Sequence, residues 1–558
     1  MNKRTKIGIE ILEAAILLGI LGDTLLRATP WGLNVTLWIG GVAAASLALM
    51  VRWRGATWKS DANWLYAPLI FFAAAFAWRD SPTLKLFDFV AIMVILALFT
   101  LRALNLKVKL AGIVQYAYAS VVATFSALFG PFVLLVSDIQ WKTIPRNGLT
   151  KHLFAILRGL AIATPLILIF GLLFVAADAV FAGLVQKTFN FNAKSFVTHI
   201  LLMSFLTWIV GGYLRAVTMG LDSAIFDAVQ PASNNDVSSF RLDGQESYVL
   251  TAKETAETGA EDNAAINKAI GQGQTNVSSQ IHRFISLGIV EISIVLGLLN
   301  VLFLSFVIIQ IRYFFGGAEL VQATTSLTYA EYARRGFFEL VTVAALVLPI
   351  LLGAHWLLKK ENPAHEKIFR FLAGAKVALL FVIMASAVKR MMLYQSEYGQ
   401  TELRVYTTAF MLWLALVFVW FVLTVLRGKR ERFVCGALVA SFLVLGGLHV
   451  LNPDDYIVRV NAQRALEGKM FDARYASWLS ADAVPALRDA MLAMSHENRC
   501  IIAGSFFDRL RNDKATDFRS WNWSRSKANQ VLHKEEPIIQ TFGCPEYIPE
   551  SSRFSDDY

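Results

Sequence analysis

The chain has 558 residues, 56% of them hydrophobic and 17% charged, and a net charge of +10. A soluble protein carries roughly 45–50% apolar and about 25% charged residues, so a soluble enzyme of this length is excluded and an all-α chain built for lipid is expected. A nucleic-acid binder would gather its basic residues on one polar domain, whereas here they are dealt out in twos and threes between apolar runs.

A helix needs about 20 apolar residues to cross the hydrocarbon core. About twelve runs approach that length, with eleven to thirteen spans possible, and a β-barrel is excluded because the runs are continuous and do not alternate. The first, 7–26, follows a basic start (Lys3, Arg4, Lys6) that resembles a signal peptide. Glu10, Glu13 and the lack of a clear cleavage site make it a retained span. Runs 31–51, 64–78, 87–104, 111–136, 153–177 and 196–219 complete an N-terminal membrane half, residues 1–220. Pro131 and Pro165 lie within two of them, and Pro349 in a later one. Each either kinks its helix or frames a transport site.

Residues 221–280 are polar and hold a charge of about −6, with little to build a core, and read as a flexible acidic insert. Residues 281–451 form a second membrane half with runs 284–311, 337–358, 369–388, 409–426 and 433–450. The tail, 452–558, has helix-like stretches at 456–466, 483–494 and 501–511, and Ser480-Ala-Asp482 has the form of an N-cap followed by an acid. A small helical module packed on the membrane part is expected, ending in a loose acidic-aromatic segment. Cys500 and Cys544 fall in this tail; they pair if it faces an oxidising compartment and otherwise are two free thiols.

The positive-inside rule puts the N-terminus and the groups Arg52, Arg54, Lys59 and Arg102, Lys107, Lys109 in the cytoplasm. With twelve spans, Lys359, Lys360, Lys367, Arg370 and Arg427, Lys429, Arg430, Arg432 then fall on the other side. Either a span is miscounted or some basic residues serve another purpose.

Two polar clusters stand at membrane edges. In 329–340, Glu331, Arg335 and Glu339 share one helical stripe in which Arg can pair with either carboxylate, beside Tyr329, Tyr332 and Arg334. In 389–404, Tyr394 and Tyr398 are one turn apart, Thr401 suits an N-cap, and Arg404 falls in the turn after it. Each cluster either anchors a helix end or turn, or lines a wet path. Glu291, inside an apolar run, must be protonated, paired or hydrated, and is expected to face the bundle with a basic partner. The histidines show no metal spacing, and no nucleotide, dinucleotide or nucleophile-elbow motif occurs, so no cofactor is called for and the reading leans away from an enzyme.

The segments Tyr313-Phe-Phe-Gly-Gly317, 327–340, Leu393-Tyr-x-x-x-Tyr-Gly-x-Thr-x-Leu-Arg404, Asn452-Pro-Asp454 and 479–487 resemble a bacterial polytopic membrane family, domain of unknown function four-one-seven-three. Gln400 departs from the Leu expected after Tyr-Gly. The resemblance implies an integral protein of the bacterial cytoplasmic membrane with no established activity. Three readings follow: a transport or permeation protein with a polar path, whose small-molecule substrate is unknown; a sensor working through the insert and a protein partner of the tail; or an embedded transferase or hydrolase.

Overall fold

The computed structural model describes residues 2–54, 63–103, 108–110, 112–141, 193–219, 288–315, 337–358, 363–512, 517–542 and 544. Among them every regular element is helical: α1 (Lys3–Leu26), α2 (Leu33–Arg54), α3 (Tyr66–Trp78), α4 (Pro82–Ala103), α5 (Ile113–Val133), α6 (Ala193–Met219), α7 (Ile289–Phe315), α8 (Phe337–Leu357), α9 (Pro363–Tyr398), α10 (Glu402–Thr424) and α11 (Phe433–Leu451). Five shorter helices make the tail: α12 (Pro453–Leu466), α13 (Ala473–Trp478), α14 (Val484–Met491), α15 (His496–Arg511) and α16 (Trp523–Gln540).

Among the described residues nine helices, α2 and α4 to α11, are long and apolar enough to cross a membrane. The other three expected runs are α1, charged by Glu10, Glu13 and Asp23; α3, which is shorter; and 153–177, which lies outside the described residues. Large apolar side chains stand exposed along single helices, for example Leu298, Val301, Leu302 and Ile308 on α7. Lipid explains such a surface where water would not.

The chain forms two compact units, Met1–Leu221 with Gln400–Glu402 and Val434–Tyr558, and Asp222–Gly399 with Leu403–Phe433. In the first, α1 lies against α6 and α2, and α5 against α6. Lipid is as apolar as the helices and does not squeeze them together as water would, so membrane helices associate through close backbone approach at small residues. Here Gly130 faces Gly212, where an added Cβ would come 2.4 Å from the Ser126 carbonyl oxygen. Helices α2, α3 and α4 enclose Ile39, Met50, Leu69, Phe72, Ile92 and Phe99, with Phe442 and Leu445 of α11 at the margin.

The same unit holds the tail. Asn452 takes the left-handed conformation (φ 57°) between α11 and α12, and Pro453 opens α12 at its first turn. An Asn there tolerates positive φ better than most residues, and a Pro needs no N–H partner at a helix start. The chain therefore turns sharply from span to tail. Helix α12 packs on α14, α13 on α15, and α16 on α14, α15 and α3. This is the helical module expected, with Ser480 capping as its sequence suggested, its side chain accepting from the Asp482 N–H. The loose end is corrected in part: 523–540 is an 18-residue helix capped by Asn522, whose side chain accepts from the Arg525 N–H. A disulfide joins Cys500 on α15 to Cys544 after α16.

In the second unit α7 and α8 both pack on α9, enclosing Val307, Leu340, Val341, Ile383, Ala387 and Met391. Helix α9 has 36 residues, about 54 Å at 1.5 Å per residue, more than a bilayer core of about 30 Å requires. The insert falls outside the described residues.

Candidate functional site

Of the side chains singled out by sequence, Tyr329, Glu331, Tyr332, Arg334 and Arg335 lie outside the described residues. Glu339 is exposed in the first turn of α8. Glu291 is exposed in the first turn of α7 and does not face into a bundle as expected. A helix N-terminus, with its unsatisfied N–H groups, is a place where a carboxylate is tolerated.

The 389–404 cluster is a turn held by its own side chains. Tyr394 and Tyr398 lie 5.1 Å apart between ring centroids, and the Arg404 guanidinium sits 4.1 Å over Tyr394. Arg404 also donates to the carbonyls of Tyr398 (3.0 Å) and Gly399 (2.5 Å). Gly399 supplies a φ of 75°, closing the turn, and Thr401 occupies the position before α10. Arg404 is thus committed to the loop backbone.

A different cation occupies the interior of the second unit. Lys376 is 1% exposed, its Nζ lies 3.7 Å over the Phe303 ring, and that nitrogen has no hydrogen-bond partner. One turn before Phe303, Asn300 donates through Nδ2 to the Leu372 carbonyl (2.9 Å), while its buried Oδ1 is unpartnered. One contact between α7 and α9 therefore holds an unsatisfied positive donor and an unsatisfied acceptor. The signal was present in the sequence, since Lys376 is the one charged residue in 371–388.

In the first unit a group of buried polar residues joins the tail to the turn between α3 and α4. Asp482 is 4% exposed. Its Oδ2 accepts from the backbone N–H of Asp80 (2.6 Å) and Ser81 (3.1 Å), and its Oδ1 from Arg79 (3.3 Å) and the Ser524 hydroxyl. Asn522 donates onward to the carbonyls of Phe76 and Arg79 at the end of α3, and the Ser524 hydroxyl also lies 2.9 Å from the Trp78 carbonyl. Asp454, 1% exposed, accepts through Oδ2 from the N–H (3.2 Å) and hydroxyl (2.5 Å) of Ser480, and its Oδ1 has no partner. Burial, reinforced by Glu402 and Asp482, pushes the Asp454 carboxyl up to about 6 against the lowering effect of Ser480. The Gln400–Glu402 backbone is gripped by the tail as well: Asn461 exchanges two hydrogen bonds with Gln400 (2.7 and 2.9 Å), and the Tyr475 hydroxyl accepts from the Glu402 N–H (2.8 Å).

Two further polar contacts centre on buried carboxylates, Asp88 and Asp138. His449 Nε2 meets Asp88 Oδ1 at 2.8 Å with both side chains fully buried, among Phe71, Phe72 and Trp78. Arg215 (2.6 Å) and Arg4 (2.7 Å) share Asp138. Neither contact is marked by spacing, because the partners are far apart in the chain. Among the described residues no group of three or more His, Cys, Asp or Glu side chains is gathered as a metal would require.

Residues 66–490, from α3 to α14, match the family described as a domain of unknown function, DUF4153. The chain belongs to that family. The motifs had suggested the number four-one-seven-three, and DUF4153 replaces it; Lys376, Asp454 and Asp482 all lie within the matched DUF4153 residues. No curated protein and no solved structure matches the chain.

Proposed function

We propose that this protein is a transport or permeation protein of a bacterial cytoplasmic membrane, with its polar path at Lys376 and Asn300. The observation that carries the reading is the unpartnered Lys376 ammonium, buried within an apolar span. A lysine at bilayer depth costs about 2.5–3.5 kcal/mol even on the milder insertion scale, and a desolvated cation–π contact returns about 2 kcal/mol. What passes is a proton carried by the amine or a small anion paired with the ammonium. Reconstituted liposomes distinguish these, using a trapped pH dye and chloride or phosphate efflux. Lys376→Met should lower flux at least tenfold. Lys376→Arg, which keeps charge but does not deprotonate, should retain anion flux and lose proton flux. Equal flux in wild type and Lys376→Met would sink the reading.

The tail is assigned to the extracytoplasmic face. It holds the turn after α3 through Asp482 and the start of α2 through the Trp521 carbonyl, which accepts from Leu33 N–H at 2.9 Å. Arg52, Arg54 and Arg102 stand at the opposite ends of α2 and α4, where the positive-inside rule places the cytoplasm. Helix α11 starts after Arg427, Lys429, Arg430 and Arg432 and ends at the tail, giving the same polarity. Arg79 and Lys85, on the tail's side, are engaged by Asp482 and Asp80, so they are basic residues with work other than topology. A disulfide suits an oxidising compartment.

A second reading, interaction through the tail, is favoured by an open groove of about 900 Å³ lined in part by Gln463, Leu466, Met470, Ala490 and Met494. Leu466 and Met470 there are 72% and 91% exposed. Changing both to Asp should leave accumulation intact and remove the phenotype of the wild-type chain; an unaltered phenotype rejects this reading.

A further inference from the structure

The tail reads as a water-facing module, yet part of it is pinned at the level where α2 and α4 leave the bilayer. Both are apolar enough to span and begin at Leu33 and Pro82, so the turns before them mark the membrane boundary on that side. Residues 518–525 are fastened to the same turns. The Trp521 carbonyl accepts from Leu33 N–H (2.9 Å). Arg519 donates to the Thr24 carbonyl at the end of α1, and Arg525 to the Pro30 carbonyl (3.3 Å). Lys85, in the first turns of α4, donates to the Trp31 carbonyl (3.2 Å).

Around these ties the aromatic side chains turn outward. Phe518 is 71% exposed, Trp523 55%, Trp31 46% and Trp521 41%, with the rings of Trp521 and Trp523 6.5 Å apart edge to face. The helices on either side of the Trp31 turn, α1 and α2, expose Leu17, Ile20, Leu21 and Leu37. Three large exposed aromatics on a polar module, with Trp31 of the α1–α2 turn beside their ties, are costly in water. At the headgroup level, an amphipathic ring gains from both phases, which is why Trp gathers there. Arg519 and Arg525 are engaged by Asp517 and Asp80, so the patch is apolar and aromatic more than cationic.

We infer that Trp31, Phe518, Trp521 and Trp523 form an aromatic seat that sinks the 518–523 segment of the tail into the headgroup and upper acyl region of the bilayer. The occupant is lipid because the patch is tied to the turns from which the apolar spans α2 and α4 start, and α2 itself exposes large apolar side chains such as Leu37. The tail is then a partly interfacial module, and α16 starts at the membrane surface.

The test uses the full chain in lipid nanodiscs, without reductant so that Cys500–Cys544 stays closed, and with Cys435→Ala. Phe518→Cys and Trp523→Cys are each labelled with a nitroxide, and access of oxygen and of a water-soluble nickel chelate is measured by electron paramagnetic resonance. The expected oxygen-to-nickel ratio is several-fold above that of a water-exposed label at both positions. A water-like ratio at both overturns the inference, and so does exclusion of both reagents, which would mean that protein covers the patch. Phe518 is the more exposed of the two, so its variant carries the test if Trp523→Cys does not accumulate.

Discussion

Asp482 and Asp454 both bond to Ser480 and do opposite things. Asp482 has donors on both oxygens and serves as the fastening of the tail. Removing one partner of a buried pair leaves its counterparts desolvated and unpaired, at about 3–5 kcal/mol. Asp482→Ala should therefore lower stability by about that amount, read as a drop in thermal midpoint of the purified protein, with Asp482→Asn milder. Asp454 keeps an unpartnered oxygen and is held at about 6. An unfolded Asp titrates near 3.9, so folding takes up a proton here between about pH 4 and 6, and stability falls as pH rises through that window. The loss approaches about 3 kcal/mol above pH 6. Asp454→Asn should flatten thermal stability across this range; an unchanged pH profile would show that the carboxyl is not the source. In sequence Asp482 was legible only as a helix-start acid after Ser480. Its partners at 79–81 and 524 are joined by no local pattern, so its role had to come from tertiary structure.

Among helices, hydrophobic runs located the elements well because the bilayer sets their length. The partners of each helix were not legible, since lipid-facing and helix-facing residues are equally apolar. What decides α5 on α6 is Gly130 against Gly212, and a Gly in an apolar run has no distinguishing neighbours. Gly212→Val should separate the two helices, because its Cβ would meet the carbonyl oxygens of Ser126 at 2.4 Å and Ala127 at 2.6 Å. Backbone cannot yield as a side-chain tip can. The expected outcome is loss of the sharp monodisperse peak in detergent, while Gly40→Ala, with open space around its Cβ, should leave it unchanged. Helix α16 was missed for another reason: its capping residue Asn522 draws its value from the α3 carbonyls it also holds, and Pro537 interrupts the pattern near its end.

For the whole molecule, sidedness ties these parts together. If the tail lies outside, an impermeant thiol reagent should label Cys500 and Cys544 in intact spheroplasts only after reduction, and a cysteine placed at Lys59 should stay unlabelled until the membrane is opened. Labelling at 59 from outside would reverse the assignment. With the tail outside, the basic residues at 427–432, which precede α11, fall in the cytoplasm, because α11 ends at the tail. Sequence gave no means of choosing, because it does not reveal that Gln400–Glu402 and 79–81 meet the same module.

The bond between Asp482 and the backbone of Asp80 joins residues 402 positions apart. At about 5–20 residues per second, a ribosome needs roughly 20–80 s to make the intervening chain. During that interval α3 and α4 have been inserted, but the carboxylate that completes their turn has not been synthesised. The N-terminal half must therefore wait in the membrane with exposed N–H groups and an unmatched Arg79, a state that insertion factors can shelter and membrane proteases can recognise. A chain lacking residues 452–558 would leave the Asp80 and Ser81 N–H groups permanently without the carboxylate that accepts from them.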